Sequence, residues 1–164
     1  MKLAILTMIM IACHTLLPDL PVRTLHIQGA GDVPDGDYDL IECFCNEIDC
    51  DCRRVMISVL ACNTNKIVAY ISYGWESVDF YLKWAYNLAD AIECKGPYLD
   101  PLNQQSPYAP FFLSLFEGYV LQDKTYVERL KKHYALFKAA LKRKNCPLTL
   151  VQPKRRKPKN RRRK

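Results

Sequence analysis

The chain has 164 residues, 49% of them hydrophobic, which is enough for one domain with a sizeable core. Its net charge of +7 is unevenly distributed, because nine of the 24 Lys and Arg residues lie between Pro153 and Lys164. The rest carries 15 basic and 17 acidic side chains, a net charge of −2, which excludes a fold that is basic throughout. We therefore expect any attraction of nucleic acid to come from the tail.

The chain begins with a short apolar run, Leu3 to Cys13, behind a single Lys2. We interpret it as an N-terminal helix that packs on the core and ends before Pro18. The alternative is the signal peptide of an exported lipoprotein anchored through Cys13. The run is too short to span a bilayer. Cys-x-Cys pairs rarely have good disulfide geometry, so we expect reduced cysteines and a cytoplasmic protein without membrane contact, unless the run is a signal.

Four segments have the composition of β-strands. Val22 to Gln28 alternates between apolar and polar residues, which predicts a half-buried strand. Tyr38 to Cys45 leads into a cluster of cysteines, and Arg53 to Cys62 and Lys66 to Tyr73 are apolar on both faces. The connections are short, which favours antiparallel pairing. We expect an antiparallel sheet of three or four strands.

The pattern changes to helical after the fourth strand. Ser77 is a suitable N-cap for a helix from about Val78 to Leu88, and a second predicted helix starts at Pro110. A third follows Thr125, the first residue of a capping box, with Asp123 as an alternative cap. Its apolar residues recur at spacings of three and four: Val127, Leu130, Tyr134, Phe137 and Leu141.

Strands followed by helices indicate an α+β fold, in which helices pack on a small antiparallel sheet. We expect a single domain over residues 1–151 and a disordered basic tail over residues 152–164. The tail would bind nucleic acid or another polyanion through counterion release, with strong salt dependence and little sequence preference. Its basic residues are Lys154, Arg155, Arg156, Lys157, Lys159, Arg161, Arg162, Arg163 and Lys164. The other interpretation is a solubilising tail without a dedicated partner.

The most informative motif is a pair of Cys-x-Cys sequences, Cys43 with Cys45 and Cys50 with Cys52. Thiolates this close repel each other unless a cation, a proton or a covalent bond neutralises them. A soft divalent metal does this well, and zinc prefers four such ligands in a tetrahedron. Because side chains alternate along a strand, Cys43 and Cys45 share one face, and the other two thiols could meet them across the turn. We predict a metal site, most simply for zinc, at this turn.

The fourth ligand has two possible identities. Cys43 completes an all-cysteine site, whereas His133, at the edge of the last helix's apolar stripe, would do so if Cys43 is an ordinary strand residue. Four protein ligands would make the metal structural, and three ligands plus water would make a catalytic metal conceivable. A nucleophilic cysteine paired with His133 is a further possibility without motif support. We expect a non-enzymatic module, with a metal- or cysteine-dependent enzyme as the alternative.

Several fragments resemble a family of small, uncharacterised bacterial proteins, some of which carry a cysteine-rich SEC-C-type zinc-binding tail or are passengers of mobile elements. The likeness covers roughly Leu20 to Phe137. It is carried by Cys45-x4-Cys-Asp-Cys-Arg-Arg, Ile71-Ser-Tyr-Gly-Trp-Glu-Ser77 and Tyr126-Val-Glu-Arg-Leu-Lys-Lys-His-Tyr134, with shorter pieces at Leu20-Pro-Val-Arg-Thr, Phe80-Tyr-Leu-Lys-Trp84 and Leu99-Asp-Pro-Leu-Asn103.

The resemblance implies Cys45, Cys50, Cys52 and His133 as ligands and a cytoplasmic protein, and it contributes no catalytic residue. Cys43 is peculiar to this chain. The C-terminus also departs from relatives with the SEC-C tail, because no cysteine follows Cys146.

Overall fold

The computed structural model describes residues 9–145, which form an antiparallel sheet packed by helices. The α+β fold class predicted from the sequence is confirmed. The tail and the first eight residues, including the start of the predicted N-terminal helix, lie outside the described residues. The strands are β1 Met10–Ala12, β2 Arg23–Ile27, β3 Gly36–Cys45, β4 Arg54–Ala61, β5 Lys66–Gly74 and β6 Tyr98–Leu99.

The sheet has the order β1-β3-β4-β5-β6, and every pairing is antiparallel. β2 also pairs with β3, on the same edge as β1, but with the first half of the strand, Gly36 to Leu40, whereas β1 pairs with its end. The four predicted strands correspond to β2 to β5. The two additional strands are only three and two residues long, too short for a periodic pattern to predict.

The start of the described chain differs from the prediction. Met10 to Ala12 is a strand and not the end of a helix, because its backbone pairs with Cys43 to Cys45 at the open edge of β3. A short 3-10 turn, Cys13–Thr15, follows it. Pairing with β3 satisfies backbone groups at that sheet edge, which outweighs the helical propensity of an apolar segment. This places Met10 directly beside Cys45.

The helices are α1 Val78–Tyr81, α2 Leu88–Lys95, α3 Ala109–Leu115 and α4 Lys124–Asn145, with a π-helical segment, Phe116–Val120, continuing α3. The single helix predicted over Val78 to Leu88 is wrong, since α1 and α2 are separate. Each has its own side-chain cap: the Ser77 hydroxyl accepts from the Phe80 amide, and the Asn87 side chain accepts from the Asp90 amide. At α4 it is Asp123 that accepts from the amides of Thr125 and Tyr126.

The main core lies between one face of the sheet and the helices α3 and α4. Tyr38 of β3 packs against Phe112 of α3 with ring centroids 4.7 Å apart, and Phe44 packs against Phe137 of α4 at 5.6 Å. Phe44 and Phe137 are fully buried. Full burial of a large apolar side chain stabilises a fold by about 1.5–3 kcal/mol. These contacts fix α4 over β3 and bring its second half beside the turn that carries the cysteines.

Candidate metal centre

Three cysteines meet where the sheet ends. Cys45 is the last residue of β3, Cys52 lies two residues before β4 begins, and Cys50 lies in the loop between the two strands. Their sulfur atoms lie within 4.8 Å of one another. Cys45 and Cys52 are buried, whereas Cys50 is half-buried. In a tetrahedral zinc site, sulfurs at about 2.3 Å from the metal are about 3.8 Å apart, so this group could hold a metal ion after a small contraction.

Hydrogen bonds within the group favour a thiolate at Cys45. The pKa of Cys45 is lowered because the Cys50 and Cys52 thiols donate to its sulfur, with help from the Glu47 backbone N–H. The pKa values of the two donor thiols are raised, since each loses a hydrogen bond on ionisation. The Arg54 backbone N–H counteracts this rise at Cys52. The group therefore holds one thiolate, at Cys45, beside two protonated thiols, and a bound cation would favour ionisation of all three.

Helix α4 covers the cysteine loop. Lys138 is buried, and its Nζ donates to the carbonyl oxygens of Cys45 at 3.0 Å and Glu47 at 2.7 Å. The same ammonium contributes to the lowered pKa of Cys45. The Tyr134 hydroxyl accepts from the Arg53 amide at 3.4 Å, and it lies 3.5 Å from the Cys50 carbonyl oxygen. Two side chains one helical turn apart thus hold both sides of the loop.

Lys138 is not among the site residues predicted from the sequence. A signal was present, because Lys138 directly follows Phe137 in the apolar stripe and lies one turn after Tyr134. A lysine on the buried side of a helix must find acceptors for its three N–H groups. In this chain two loop carbonyls serve as acceptors.

Arg53 and Arg54 have structural partners near the loop. The Arg53 guanidinium pairs with Asp51 at 2.9 Å and with Glu76 at 3.1 Å. Its φ of 49° is left-handed and turns the chain from the loop into β4. Arg54 is buried and donates to the Tyr98 hydroxyl at 2.9 Å. Both guanidiniums are engaged by the fold itself.

The structure does not bring the two proposed fourth ligands into the group. His133 Nδ1 lies 2.6 Å from Glu42 Oε2, and both side chains are buried. Cys43 Sγ lies 3.6 Å from the Ser58 hydroxyl, on the other face of β3 from Glu42. Because neighbouring strand residues point in opposite directions, Glu42 reaches α4 while Cys43 faces away from it. Among residues 9–145, the His, Cys, Asp and Glu side chains form one potential ligand group, and it contains only the three thiols.

Comparison with known proteins identifies no relative: no family model matches the chain, and no curated protein or solved structure is significantly similar to it. In the part of the chain that the structure describes, no helix has the length and apolar character needed to cross a membrane. The nine basic residues predicted to bind nucleic acid lie beyond Asn145, outside the described residues. The geometry of the cysteine group is therefore the main structural indication of function.

Proposed function

We propose that the protein is a cytoplasmic, zinc-binding, non-enzymatic module whose basic tail contacts nucleic acid. Zinc binding is supported by the largely buried group of Cys45, Cys50 and Cys52, whose sulfur atoms lie within 4.8 Å of one another. Thiolates are the ligands that soft and borderline metals prefer, and zinc is the common divalent ion held in such sites. The ammonium of Lys138 and the loop amides add positive charge and N–H donors around the sulfurs.

Three thiolates also bear on whether the metal would be catalytic. A zinc ion with three thiolate ligands carries one net negative charge, which weakens it as a Lewis acid and disfavours ionisation of a bound water. No histidine or carboxylate among residues 9–145 joins the group to act as a base. These features favour a structural metal, whose fourth position would be filled by a ligand beyond the described residues.

The ligand count supports a second candidate function, an enzyme with an open coordination position. This alternative requires a coordination position with an exchangeable ligand, which small molecules could reach on the side of the half-buried Cys50. Cobalt substitution distinguishes the two, because the visible absorption of Co²⁺ reports both the number of thiolates and the entry of an added ligand. A spectrum unchanged by azide or cyanide favours the structural assignment, and a shifted spectrum favours the open site.

The metal proposal is tested by elemental analysis of protein purified under reducing conditions. We expect roughly one zinc per chain, lost in Cys45→Ser and Cys52→Ser. Cys43→Ser is the matched control, because Cys43 is also a buried cysteine of β3 but lies outside the group. Metal-free wild-type protein, or equal zinc content in all the variants, would refute the proposal.

The proposed nucleic-acid binding depends on the tail and is tested separately from metal binding. Binding of an oligonucleotide should weaken steeply as salt is raised and should collapse when Pro153 to Lys164 are deleted. The deletion removes nine basic side chains and no acidic one. If the tail-deleted protein binds DNA and RNA as wild type does, the proposed role of the tail is wrong, and the zinc proposal is unaffected.

A further inference from the structure

The charges of the molecule are segregated more strongly than the composition suggests. Residues 1–123 carry 7 basic and 16 acidic side chains, a net charge of −9. Helix α4, residues 124–145, carries eight basic side chains and one acidic one, a net charge of +7. The near-neutral total for the body conceals this division, so the expectation that only the tail is basic overlooked a basic element of the fold.

The basic side chains of α4 differ in what they do. Lys138 is buried against the cysteine loop, and Lys131 pairs with Glu128 at 2.7 Å. The Arg129 guanidinium lies 5.0 Å from the centroid of the Tyr126 ring and 3.8 Å from the buried carboxylate of Glu42. These three cations serve the fold. The remaining five are exposed on the helix: Lys124, Lys132, Lys142, Arg143 and Lys144.

Most of the exposed cations share one side of the helix. At about 100° per residue, Lys124, Lys132, Lys142 and Arg143 fall within an arc of about 100°, opposite the buried stripe of Leu130 and Phe137. Ala135, Ala139 and Glu128 lie within the same arc and are exposed, and the Glu128 carboxylate pairs with Lys131 at 2.7 Å. We call the surface formed by Lys124, Lys132, Ala135, Ala139, Lys142 and Arg143 the basic face of α4. Its small central residues would let a long polyanion approach the helix closely.

We propose that the basic face of α4 binds the phosphate backbone of a nucleic acid. The inference rests on the proposed nucleic-acid function and adds to it a defined surface on the folded domain. A helix of 22 residues is about 33 Å long, close to one turn of duplex DNA. Distributed positive charge is what backbone binding requires. From Ala135 to Asn145 the single aromatic residue is buried, so the aromatic anchors typical of protein interfaces do not occur there.

The test compares two full-length variants that each lose two positive charges. Lys132→Gln/Lys142→Gln removes charge from the basic face, and Lys66→Gln/Lys83→Gln removes it from exposed positions elsewhere in the fold. Fluorescence anisotropy with a 20-base-pair duplex measures the affinity at several salt concentrations. For the face variant we expect at least roughly tenfold weaker binding at 0.1 M salt and a log–log salt slope smaller by about two. The control variant should keep the wild-type slope.

The other outcomes overturn the proposal in distinguishable ways. If both variants lose affinity equally, the effect is one of net charge and not of a surface. If tail-dependent binding persists and the face variant binds like wild type, the inference fails and the proposed function survives. If wild type does not bind the duplex, both fail. If the face variant instead breaks a dimer detected by sedimentation without nucleic acid, the face binds the acidic surface of a second copy. Circular dichroism and zinc content confirm that each variant is folded.

Discussion

His133 on α4 and Glu42 on β3 form a buried hydrogen bond, with 2.6 Å between Nδ1 and Oε2. They are 91 positions apart in the chain, so this contact joins the last helix to the middle of the sheet. The other carboxylate oxygen of Glu42 lies 3.8 Å from Arg129 Nη2. His133 therefore joins the helix to the sheet through a carboxyl group, whereas the sequence offered it, beside Cys43, as one of two possible fourth metal ligands.

Replacing His133 by Ala should reduce stability without releasing metal. The substitution leaves the buried Glu42 side chain without its hydrogen-bond partner, which costs about 1–3 kcal/mol. Urea denaturation measures the loss. The double variant Glu42→Leu/His133→Phe is the control, because two apolar residues replace the pair and should recover much of the stability. An unchanged midpoint together with lost zinc would instead make His133 a ligand.

Lys138→Met should weaken metal binding although no ligand is changed. The variant keeps an apolar stem of similar length but leaves the carbonyls of Cys45 and Glu47 without their donor. Loss of these charge-assisted hydrogen bonds costs about 1.5–3 kcal/mol, and the loop that positions the thiols becomes less ordered. Competition with a zinc chelator measures the affinity. Lys142→Met, one turn further along α4 and exposed, should bind zinc like wild type.

The sequence was most informative where a pattern is long. The strands β2 to β5 and the start of the helix α4 were predicted to within about two residues, because alternation or a repeat of three and four extends over several residues. The break between α1 and α2 was not foreseen, since it depends on the Asn87 cap and on Tyr81, whose hydroxyl donates to the Arg53 carbonyl at 2.9 Å. The contact between Tyr81 and Arg53 joins residues 28 positions apart, and such a contact produces no periodic pattern in the sequence.

The candidate site also has a part that the sequence predicts and a part that depends on distant contacts. The three thiols lie close in sequence, so a strand and a turn suffice to bring them together. The role of His133 depends on Glu42, whose carboxylate lies in a strand that is otherwise largely apolar. A buried acid requires a partner, but the sequence does not say whether that partner is a histidine, an arginine or a lysine. Only the packing of α4 on β3 decides this.

Gly74→Ala should destabilise the protein, because a Cβ at this position would overlap the Tyr81 hydroxyl group. Tyr81 is fully buried, so it cannot move aside without losing its hydrogen bond to the Arg53 carbonyl. We expect a loss of about 1–3 kcal/mol in thermal or urea unfolding. Gly118→Ala is the matched control. Its added Cβ would meet no atom within 4 Å, and Ala is favoured over Gly in a helical segment by about 0.5–1 kcal/mol. Equal effects would show that Tyr81 does not constrain Gly74.

We expect the ion pair of Asp123 to make the free energy of unfolding depend on pH. The Arg23 guanidinium donates to Asp123 at 2.8 Å and, together with the amides at the start of α4, lowers the pKa of its carboxyl group. A lowered pKa in the folded state means that the ionised group stabilises the protein above the ordinary aspartate pKa of about 3.9. That contribution is lost as the pH falls through the folded-state pKa.

Asp123→Asn should therefore unfold at a lower urea concentration than wild type at pH 7, and the difference should shrink below about pH 4. Asn caps helices about as well as Asp, so the variant isolates the charge. Arg23→Gln removes the partner from β2 and should show the same pH window, and the double variant should lose less than the sum of the two. A difference between wild type and Asp123→Asn that stays constant from pH 7 to pH 2.5 would mean that the Asp123 carboxylate adds no stability through its charge.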